Sequence, residues 1–431
     1  NSQDGASCIF LGKYSCNDLD ERAWSVQKMT WDYRSGEMIH RRVRLRQCLF
    51  VSGFVFTTFL VVSFFISFFS DPCQGYDHKR ILCQHYKLGE ITGKLCPQLC
   101  TRNEITFTQC LREETHFSVF RWRHYELKVV KEHVRKPMPG NPRLPAFDKP
   151  AKGTSMAQFK DMVTAFIDSK LGAGDHSALV DRIMNTADVD NDEKVTLAEA
   201  KTIWSLLQLN DFFIAFIFND VDHVPTVRGF CGDMFATDYF YYKNLYQKDQ
   251  LPILQSVFPR YYRWWFPDWK NRAKVMLGLV EFTMEAYQHS GDGAFHMCKI
   301  NELAVGYSSR YDVRMTQLDH IIPDAEIQAY FNDRKCVKNA DCSYSEQCTA
   351  VCDTTKGKCS GHKVRPNLYH ICEIIRDYIL EDAPVSLSKD LGQLLHRCSL
   401  LNVATSEVEH SLLLNDLKST IWQEISYDRS S

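Results

Sequence analysis

The chain has 431 residues and carries 51 Lys and Arg against 53 Asp and Glu, so its formal net charge is −2. A protein that binds nucleic acid needs a basic excess to neutralise phosphates, and this balance argues against a nucleic-acid partner. Hydrophobic residues make up 45% of the chain and charged residues 24%, which is ordinary for a folded protein and excludes wholesale disorder.

A long apolar segment near the N-terminus predicts a membrane anchor. From Cys48 to Phe69 about 22 residues carry no charge, enough to cross a hydrocarbon core of about 30 Å as a helix. A cluster of arginines at 41–46 precedes it, and basic flanks stay in the cytosol. The sequence therefore predicts a single-pass type II protein, with a cytosolic tail at 1–47, a transmembrane signal anchor at 48–70 and a translocated C-terminal part.

The cysteines support this topology. Of the 17 cysteines, fourteen lie beyond the apolar segment, and an even number fits a fully paired set of disulfides in an oxidising compartment. Zinc is the alternative for Cys96-x3-Cys100 and Cys348-x3-Cys352, although neither pair has a second ligand pair beside it at zinc spacing.

Past the predicted anchor, the pattern predicts an α+β fold with strands first and helices later. Five cysteines over 71–115 indicate a cysteine-rich segment, and the alternating residues 116–133 predict a hairpin or short sheet. Helical periodicity follows over 156–217 and 270–288. A second cysteine cluster at 336–359 indicates a disulfide-held insertion. Closing helices are predicted at 368–380, from Leu387 and from Ser406.

Residues 188–199 match a twelve-residue EF-hand loop between two amphipathic helices. Calcium prefers six to eight oxygen ligands, which such a loop supplies at fixed positions. The matching residues are the position 1, 3 and 5 carboxylates Asp188, Asp190 and Asp192, the position 7 carbonyl of Lys194, Thr196 at position 9 and the position 12 carboxylate Glu199. The sequence therefore predicts a Ca²⁺ site.

One position departs from the calcium-binding pattern. Position 6 requires a positive φ and is normally glycine, but here it is Glu193, at a cost of about 1 kcal/mol. The alternative is an acidic helix–turn–helix that keeps the EF-hand shape and binds calcium poorly. EF-hands usually pair, and the sequence shows no second loop of this kind.

The order of these features resembles the divergent protein kinase domain 1 family, cysteine-rich type II membrane proteins of the endoplasmic reticulum. The segments that carry the resemblance are LPAFDKPAKGTS (144–155), AEAKTIWSLLQLNDF (198–212), GFCGDMF (229–235), RAKVMLGLVEF (272–282), VGYSSRYDVRM (305–315) and RPNLYHICEIIRDYIL (365–380). The resemblance implies a two-lobe, protein-kinase-like domain over 116–431, with an EF-hand insertion at 175–210 and the cysteine-rich insertion at 336–359. It also implies an endoplasmic reticulum membrane location.

Protein kinases use a strand-borne lysine for the nucleotide phosphates and pair it with a helix carboxylate. Carried over by the resemblance, Lys131 matches this nucleotide-binding lysine, and an exposed strand lysine is the alternative. Glu199 or Asp211 is the candidate carboxylate. The glycine-rich loop expected upstream is absent, because the segment 117–122 contains no glycine.

The catalytic loop departs from the family pattern. Lys299 occupies the position of the catalytic Asp, Ala304 that of the metal-binding Asn, and Gln317 that of the second metal-binding Asp. A lysine cation cannot accept the hydroxyl proton, and alanine offers no oxygen to Mg²⁺, which argues against ATP and Mg²⁺ as working cofactors. Asp319, two residues further along, would replace Gln317 only after a shift in register.

These observations favour a pseudokinase: a lumenal kinase-like protein of the secretory pathway that binds calcium and a lumenal protein partner and does not transfer phosphate. Lys299 would then hold phosphate directly. The first alternative is an active, calcium-regulated secretory-pathway kinase that uses other groups, such as Asp319, Asp312 or Glu302. The second is a structural ectodomain of kinase ancestry.

Overall fold

The computed structural model describes residues 73–107, 109–114, 116–131, 149–245, 267–287, 294–300, 304–360, 365–402 and 405–427, with a few positions between 53 and 62. Residues 1–70 and 71–431 form two separate units. The predicted tail at 1–47 and most of the predicted anchor at 48–70 lie outside the described residues. Among the helices that are described, none combines the length and the apolar character that crossing a membrane requires.

The N-terminal lobe is built on a five-stranded antiparallel sheet with the strand order β1-β2-β3-β5-β4. Its strands are β1 (Gln109–Glu113), β2 (Phe117–Trp122), β3 (Tyr125–Val130), β4 (Val227–Cys231) and β5 (Met234–Asp238). Strands β2 and β3 confirm the hairpin predicted from the alternating pattern. They pair from Phe117 opposite Val130 to Trp122 opposite Tyr125.

The two faces of this sheet have different partners. Successive side chains of a strand point to opposite faces. On β3, Leu127 and Val129 pack into a hydrophobic cluster with the cysteine-rich segment, whereas Val130 packs against the helices on the other side. Lys128 shares the face of Val130 and therefore points away from the cysteine-rich segment.

Disulfides fasten the cysteine-rich segment to the sheet. The segment comprises helix α1 (Gly75–Lys87) and a π-helical turn (Pro97–Thr101). The three bonds are Cys73–Cys110, Cys83–Cys100 and Cys96–Cys231, the last of which joins residues 135 apart in sequence. The segment is thus an integral part of the N-terminal lobe.

All fourteen cysteines beyond the predicted anchor form disulfides, which confirms the prediction of an oxidised, fully paired set. The zinc alternative is wrong, because Cys96, Cys100, Cys348 and Cys352 are each bonded to another cysteine. A metal ligand must be a thiolate, and a disulfide sulfur is not one.

In the described residues between β3 and β4 the chain forms four helices: α2 (Met156–Leu171), α3 (Ser177–Ala187), α4 (Leu197–Leu207) and α5 (Asn210–Ile217). Helix α2 begins with a capping box, in which the side chain of Ser155 accepts a hydrogen bond from the amide of Gln158 and the side chain of Gln158 accepts one from the amide of Ser155. Helices α3 and α4 flank the predicted EF-hand loop at 188–199, here called the acidic loop. The edge-to-face contacts of Phe166 with Trp204 and Phe213 join α2, α4 and α5 into one core.

The C-terminal lobe is mainly helical. Its described helices are α6 (Trp269–Tyr287), α7 (Asp324–Phe331), α8 (Asn367–Leu380), α9 (Val385–Ser399) and α10 (Glu407–Tyr427). Helix α7 was not predicted, and the other four confirm predicted helices within one or two residues. Arg272 is buried and caps the end of α8, donating to the carbonyls of Tyr378 and Glu381, both at 2.6 Å.

In the part of the chain that the structure describes, five short strands lie before α6 and between α6 and α7, and the loops that connect them line the cleft between the two lobes. They are β6 (Lys243–Asn244), β7 (Phe295–Met297), β8 (Val305–Tyr307), β9 (Val313–Met315) and β10 (Ile321–Pro323). Strand β7 pairs with β10, and β8 pairs with both β6 and β9. Asn367 of α8 holds β7 through the amide of Met297 and the carbonyl of Phe295.

The insertion at 336–359 is a compact, disulfide-held body with the small strands β11 (Val351–Asp353) and β12 (Lys358–Ser360). Cys336–Cys352 and Cys342–Cys359 close it internally. Cys298–Cys348 joins it to the loop that follows β7. The described residues thus form a mixed α/β protein with a sheet-based and a helical lobe.

Candidate functional site: the cleft between the lobes and the acidic loop

A buried ion pair forms the centre of the cleft. Lys128 of β3 and Asp211 of α5 are 5% and 2% exposed, and Lys128 Nζ lies 2.5 Å from Asp211 Oδ1. Asp211 Oδ2 has no hydrogen-bond partner among the described residues. A charged pair at this depth is strongly coupled, because little water remains to screen it.

Further charges surround this pair. Glu114 Oε2 lies 3.7 Å from Lys128 Nζ, and Arg112 bonds to both Glu114 and Glu126. Burial alone would lower the pKa of Lys128, but Asp211 and Glu114 outweigh it and raise that pKa. Lys128 is therefore a permanent cation in the folded protein.

The inner part of the cleft is nearly closed. The cavity next to Lys128 has a volume of about 20 Å³, roughly the space of one water molecule. Arg112, Glu126, Phe235 and Tyr242 are among the residues that line it. The inner part of the cleft therefore holds no more than about one water molecule beside the ion pair.

The outer part of the cleft is open. It has a volume of about 520 Å³ and meets the inner cavity at Asp211. Its lining residues include Lys170, Lys299, Asp319, Glu326 and three residues of the insertion, Tyr344, Ser345 and Glu346.

Asp319 also lines this outer cavity. Strand β9 ends at Met315, and residues 316–320 belong to no strand, so Asp319 reaches the cleft from the loop that follows β9. Burial, followed by repulsion from Asp211, raises the pKa of Asp319 to about 7. Two carboxylates, Asp211 and Asp319, therefore share the cleft with Lys128.

Lys299, Ala304 and Gln317 occupy different environments. Lys299 is exposed and lines the outer cavity, directly after β7. Ala304 is buried, and its carbonyl accepts a hydrogen bond from the amide of Thr316 at 2.9 Å. Gln317 is half-buried. Residues 301–303, and with them Glu302, lie outside the described residues.

Lys131 is not part of the cleft lining. It follows the end of β3, and its Nζ lies 3.4 Å from Glu113 Oε2. Lys128 instead forms the strand-lysine pair with a helix carboxylate, and Asp211 is the candidate that supplies it. The signal in the sequence is the alternation of β3, which puts Lys128 on the face opposite Leu127 and Val129.

The acidic loop brings three predicted ligands together. Carboxylate oxygens of Asp188, Asp190 and Asp192 all lie within 4.8 Å of one another. Asp188 accepts hydrogen bonds from the amides of Asp192 and Glu193, at 3.2 and 2.9 Å, which folds the loop around its first residue. Lys194 is exposed, and its amide donates to Asp192 Oδ1 at 2.9 Å.

The backbone at Glu193 adopts the conformation expected of position 6. Its φ is 63°, a value that favours glycine and strains a residue with a Cβ. Glu199 is 4% exposed, and its carboxylate accepts from the amide of Val189 and from Thr196. To bind calcium with both oxygens, this carboxylate would have to give up its hydrogen bonds with Val189 and Thr196.

The sheet-based lobe, the helical lobe and the strand lysine paired with a helix carboxylate define a protein-kinase-like domain. Residues 203–401 match the family described as the protein-kinase domain of FAM69. Residues 40–185 match its companion, described as the N-terminal cysteine-rich, endoplasmic reticulum part of FAM69. The chain belongs to the FAM69 family, which is the divergent protein kinase domain 1 family that the sequence resembles.

Among solved structures, the complex of Rv3197 with erythromycin from Mycobacterium tuberculosis is similar over 90% of this chain and 95% of that chain. The identity is 12% and the TM-score 0.27. A likeness at that level carries no argument about fold or function. The kinase-like assignment rests on the family match and the cleft.

Proposed function

We propose that this chain is a pseudokinase of the secretory pathway: a lumenal, kinase-like protein of the endoplasmic reticulum membrane that works by binding a protein partner. The family match and the seven disulfides support a kinase-like protein in an oxidising compartment. The type II anchor at 48–70 is part of the proposal and rests on the sequence.

The observation that carries the proposal is Lys299 on the wall of the outer cavity. A kinase needs a carboxylate there to accept the proton of the substrate hydroxyl, and an ammonium group cannot do so. With Ala304 in place of the metal-binding Asn, the charge that develops on a transferring phosphate also loses its usual metal clamp. The inner cavity, at about 20 Å³, has no room for a nucleotide base, so a bound nucleotide would have to lie in the outer part of the cleft.

A second candidate function is an active kinase that uses other groups. The observation that favours it is the presence of Asp211 and Asp319 in one cleft with Lys128. Carboxylate pairs of this kind are the ligands that Mg²⁺ prefers. Asp319 would then act in place of Gln317.

Magnesium dependence separates the two functions. We expect isothermal titration of the full chain with ATP to give the same weak or absent binding with and without Mg²⁺. The second function instead requires binding that Mg²⁺ tightens about ten-fold or more, and that Asp319→Asn abolishes. Such a magnesium effect would contradict the pseudokinase proposal.

Calcium regulation is the remaining part of the proposal. A Ca²⁺ ion at Asp188, Asp190, Asp192, the Lys194 carbonyl and Glu199 would draw Glu199 toward the loop and shift the start of α4. Only Gln208 and Leu209 separate α4 from α5, the helix that carries Asp211. Calcium would thereby bias the position of the cleft carboxylate.

The loop predicts a specific gain of affinity. Glu193→Gly removes the strain of a positive φ, and we expect it to tighten calcium binding about five-fold. The fluorescence of Trp204, on α4 of the full chain, would report the titration. Asp188→Ala should abolish the response, whereas Asp181→Ala, on the exposed side of α3, should leave it unchanged. A calcium response that survives Asp188→Ala would remove the site.

A further inference from the structure

We infer that the cysteine-rich insertion fixes the catalytic loop in one position, and that Gln347 is the positioning residue that does so. The insertion lies between β10 and α8 in sequence and returns to the loop that follows β7. The inference rests on the proposed function only in treating Lys299 as a group that acts in the cleft. The contacts between the insertion and residues 298–300 are all within this chain and do not depend on that function.

The contacts bracket Lys299 on both sides. Gln347 Oε1 accepts from the amide of Ile300 at 2.5 Å, and Gln347 Nε2 donates to the carbonyl of the same residue at 2.8 Å. On the other side, the Cys298 carbonyl accepts from the Gln347 amide at 3.2 Å and from Ser345 Oγ at 2.5 Å. A single side chain thus satisfies both backbone groups of Ile300, a residue that is 4% exposed.

A covalent bond reinforces these hydrogen bonds. Cys298, the residue before Lys299, forms a disulfide with Cys348, the residue after Gln347. Both sulfur-bearing residues are buried, at 1% exposure each. The loop is therefore joined to the insertion by one disulfide and four hydrogen bonds within three of its residues.

The part of the insertion that contacts this loop, residues 344–348, is also bonded to other elements of the cleft. Tyr344 donates its hydroxyl to Glu326 Oε1 at 2.9 Å, and Glu326 Oε2 lies 2.7 Å from Lys170 Nζ. Glu326, Lys170 and Tyr344 are all buried. This chain of contacts runs from the loop through the insertion and α7 to α2, the helix that begins the helical part of the N-terminal lobe.

These contacts leave Lys299 with fixed neighbours and an exposed side chain. Lys299 lines the outer cavity together with Tyr344, Ser345 and Glu346 of the same insertion. The oxidised insertion holds the loop and one wall of the cleft as a single body.

Amide hydrogen exchange of the full chain tests the inference without any ligand. We expect Gln347→Met, which keeps the side-chain volume, to accelerate exchange of the Ile300 amide about ten-fold or more. Exchange in α8 should stay at the wild-type rate. Gln347→Glu keeps an acceptor for the Ile300 amide but loses the donor to its carbonyl, so an intermediate rate is expected.

Gln328→Met is the matched control, because the side-chain amide of Gln328 donates to Asp324 within α7. It should leave exchange at Ile300 unchanged. Wild-type exchange at Ile300 in Gln347→Met would overturn the inference, as would an equal acceleration in α8, which would indicate general destabilisation. Phosphate transfer by the wild-type protein would contradict the proposed function and leave this result unaffected.

Discussion

Replacing Lys128 with Met is expected to lower the free energy of unfolding by about 3–5 kcal/mol. The substitution keeps the volume of the side chain and removes its charge, which leaves the buried Asp211 carboxyl group without its cation. Thermal or denaturant unfolding of the purified protein measures the effect. Such a loss is a large fraction of the stability of an ordinary domain.

Lys131→Met is the matched control for this substitution. Lys131 directly follows the end of β3 and pairs with the half-exposed Glu113 at 3.4 Å, so water screens the interaction. Its loss should cost less than about 1 kcal/mol. Equal effects of the two substitutions, or a larger effect at Lys131, would contradict the assignment of Lys128 as the central lysine of the cleft.

The second large effect is a pH dependence at His370. This residue of α8 is 4% exposed, and burial lowers its pKa to about 4. The charged and titratable groups that face it are Glu373, which raises the pKa, and Arg365 and His296, which lower it. The folded protein therefore keeps this imidazole neutral well below its ordinary pKa of about 6.5.

The sign of the effect follows from proton binding. Between pH 6.5 and about 4 the unfolded chain binds a proton at His370 that the folded protein does not, so stability falls as the pH decreases. From pH 7 to pH 5 this residue alone should remove about 2 kcal/mol. In His370→Leu the free energy of unfolding should depend on pH correspondingly less.

Unfolding free energies at pH 7 and pH 5 decide this prediction. His85→Leu, a change at an exposed histidine of α1, should retain the wild-type difference between the two values. If the difference between the unfolding free energies at pH 7 and pH 5 is the same in His370→Leu as in the wild type, His370 does not cause the pH dependence of stability.

The elements of the fold follow closely from the sequence because their signals are local. The alternation at 116–133 defines a hairpin, and the helical periodicities define α2 to α6 and α8 to α10. The even set of cysteines also sufficed to predict complete pairing. It could not predict that Cys96 bonds to Cys231 or that Cys298 bonds to Cys348, since connectivity depends on the tertiary fold.

The cleft is harder to predict, because its residues come from distant segments. Choosing between Lys128 and Lys131 requires knowing which face of β3 the cysteine-rich segment covers, and this depends on the disulfides. The position of Asp319 depends on where β9 ends, which its short apolar pattern does not determine. The contacts of Gln347 with Ile300 span 47 residues, and no local pattern indicates them.

Transfer of radiolabelled phosphate from ATP tests the central claim most directly. The full chain, purified with its disulfides intact, is incubated with Mg²⁺ or Mn²⁺, with and without calcium, and with a generic protein substrate. The pseudokinase proposal predicts the same background incorporation for the wild type, Lys128→Arg and Asp319→Asn, because Lys299 and Ala304 supply neither base nor metal ligand. Incorporation by the wild type that both substitutions abolish would contradict it.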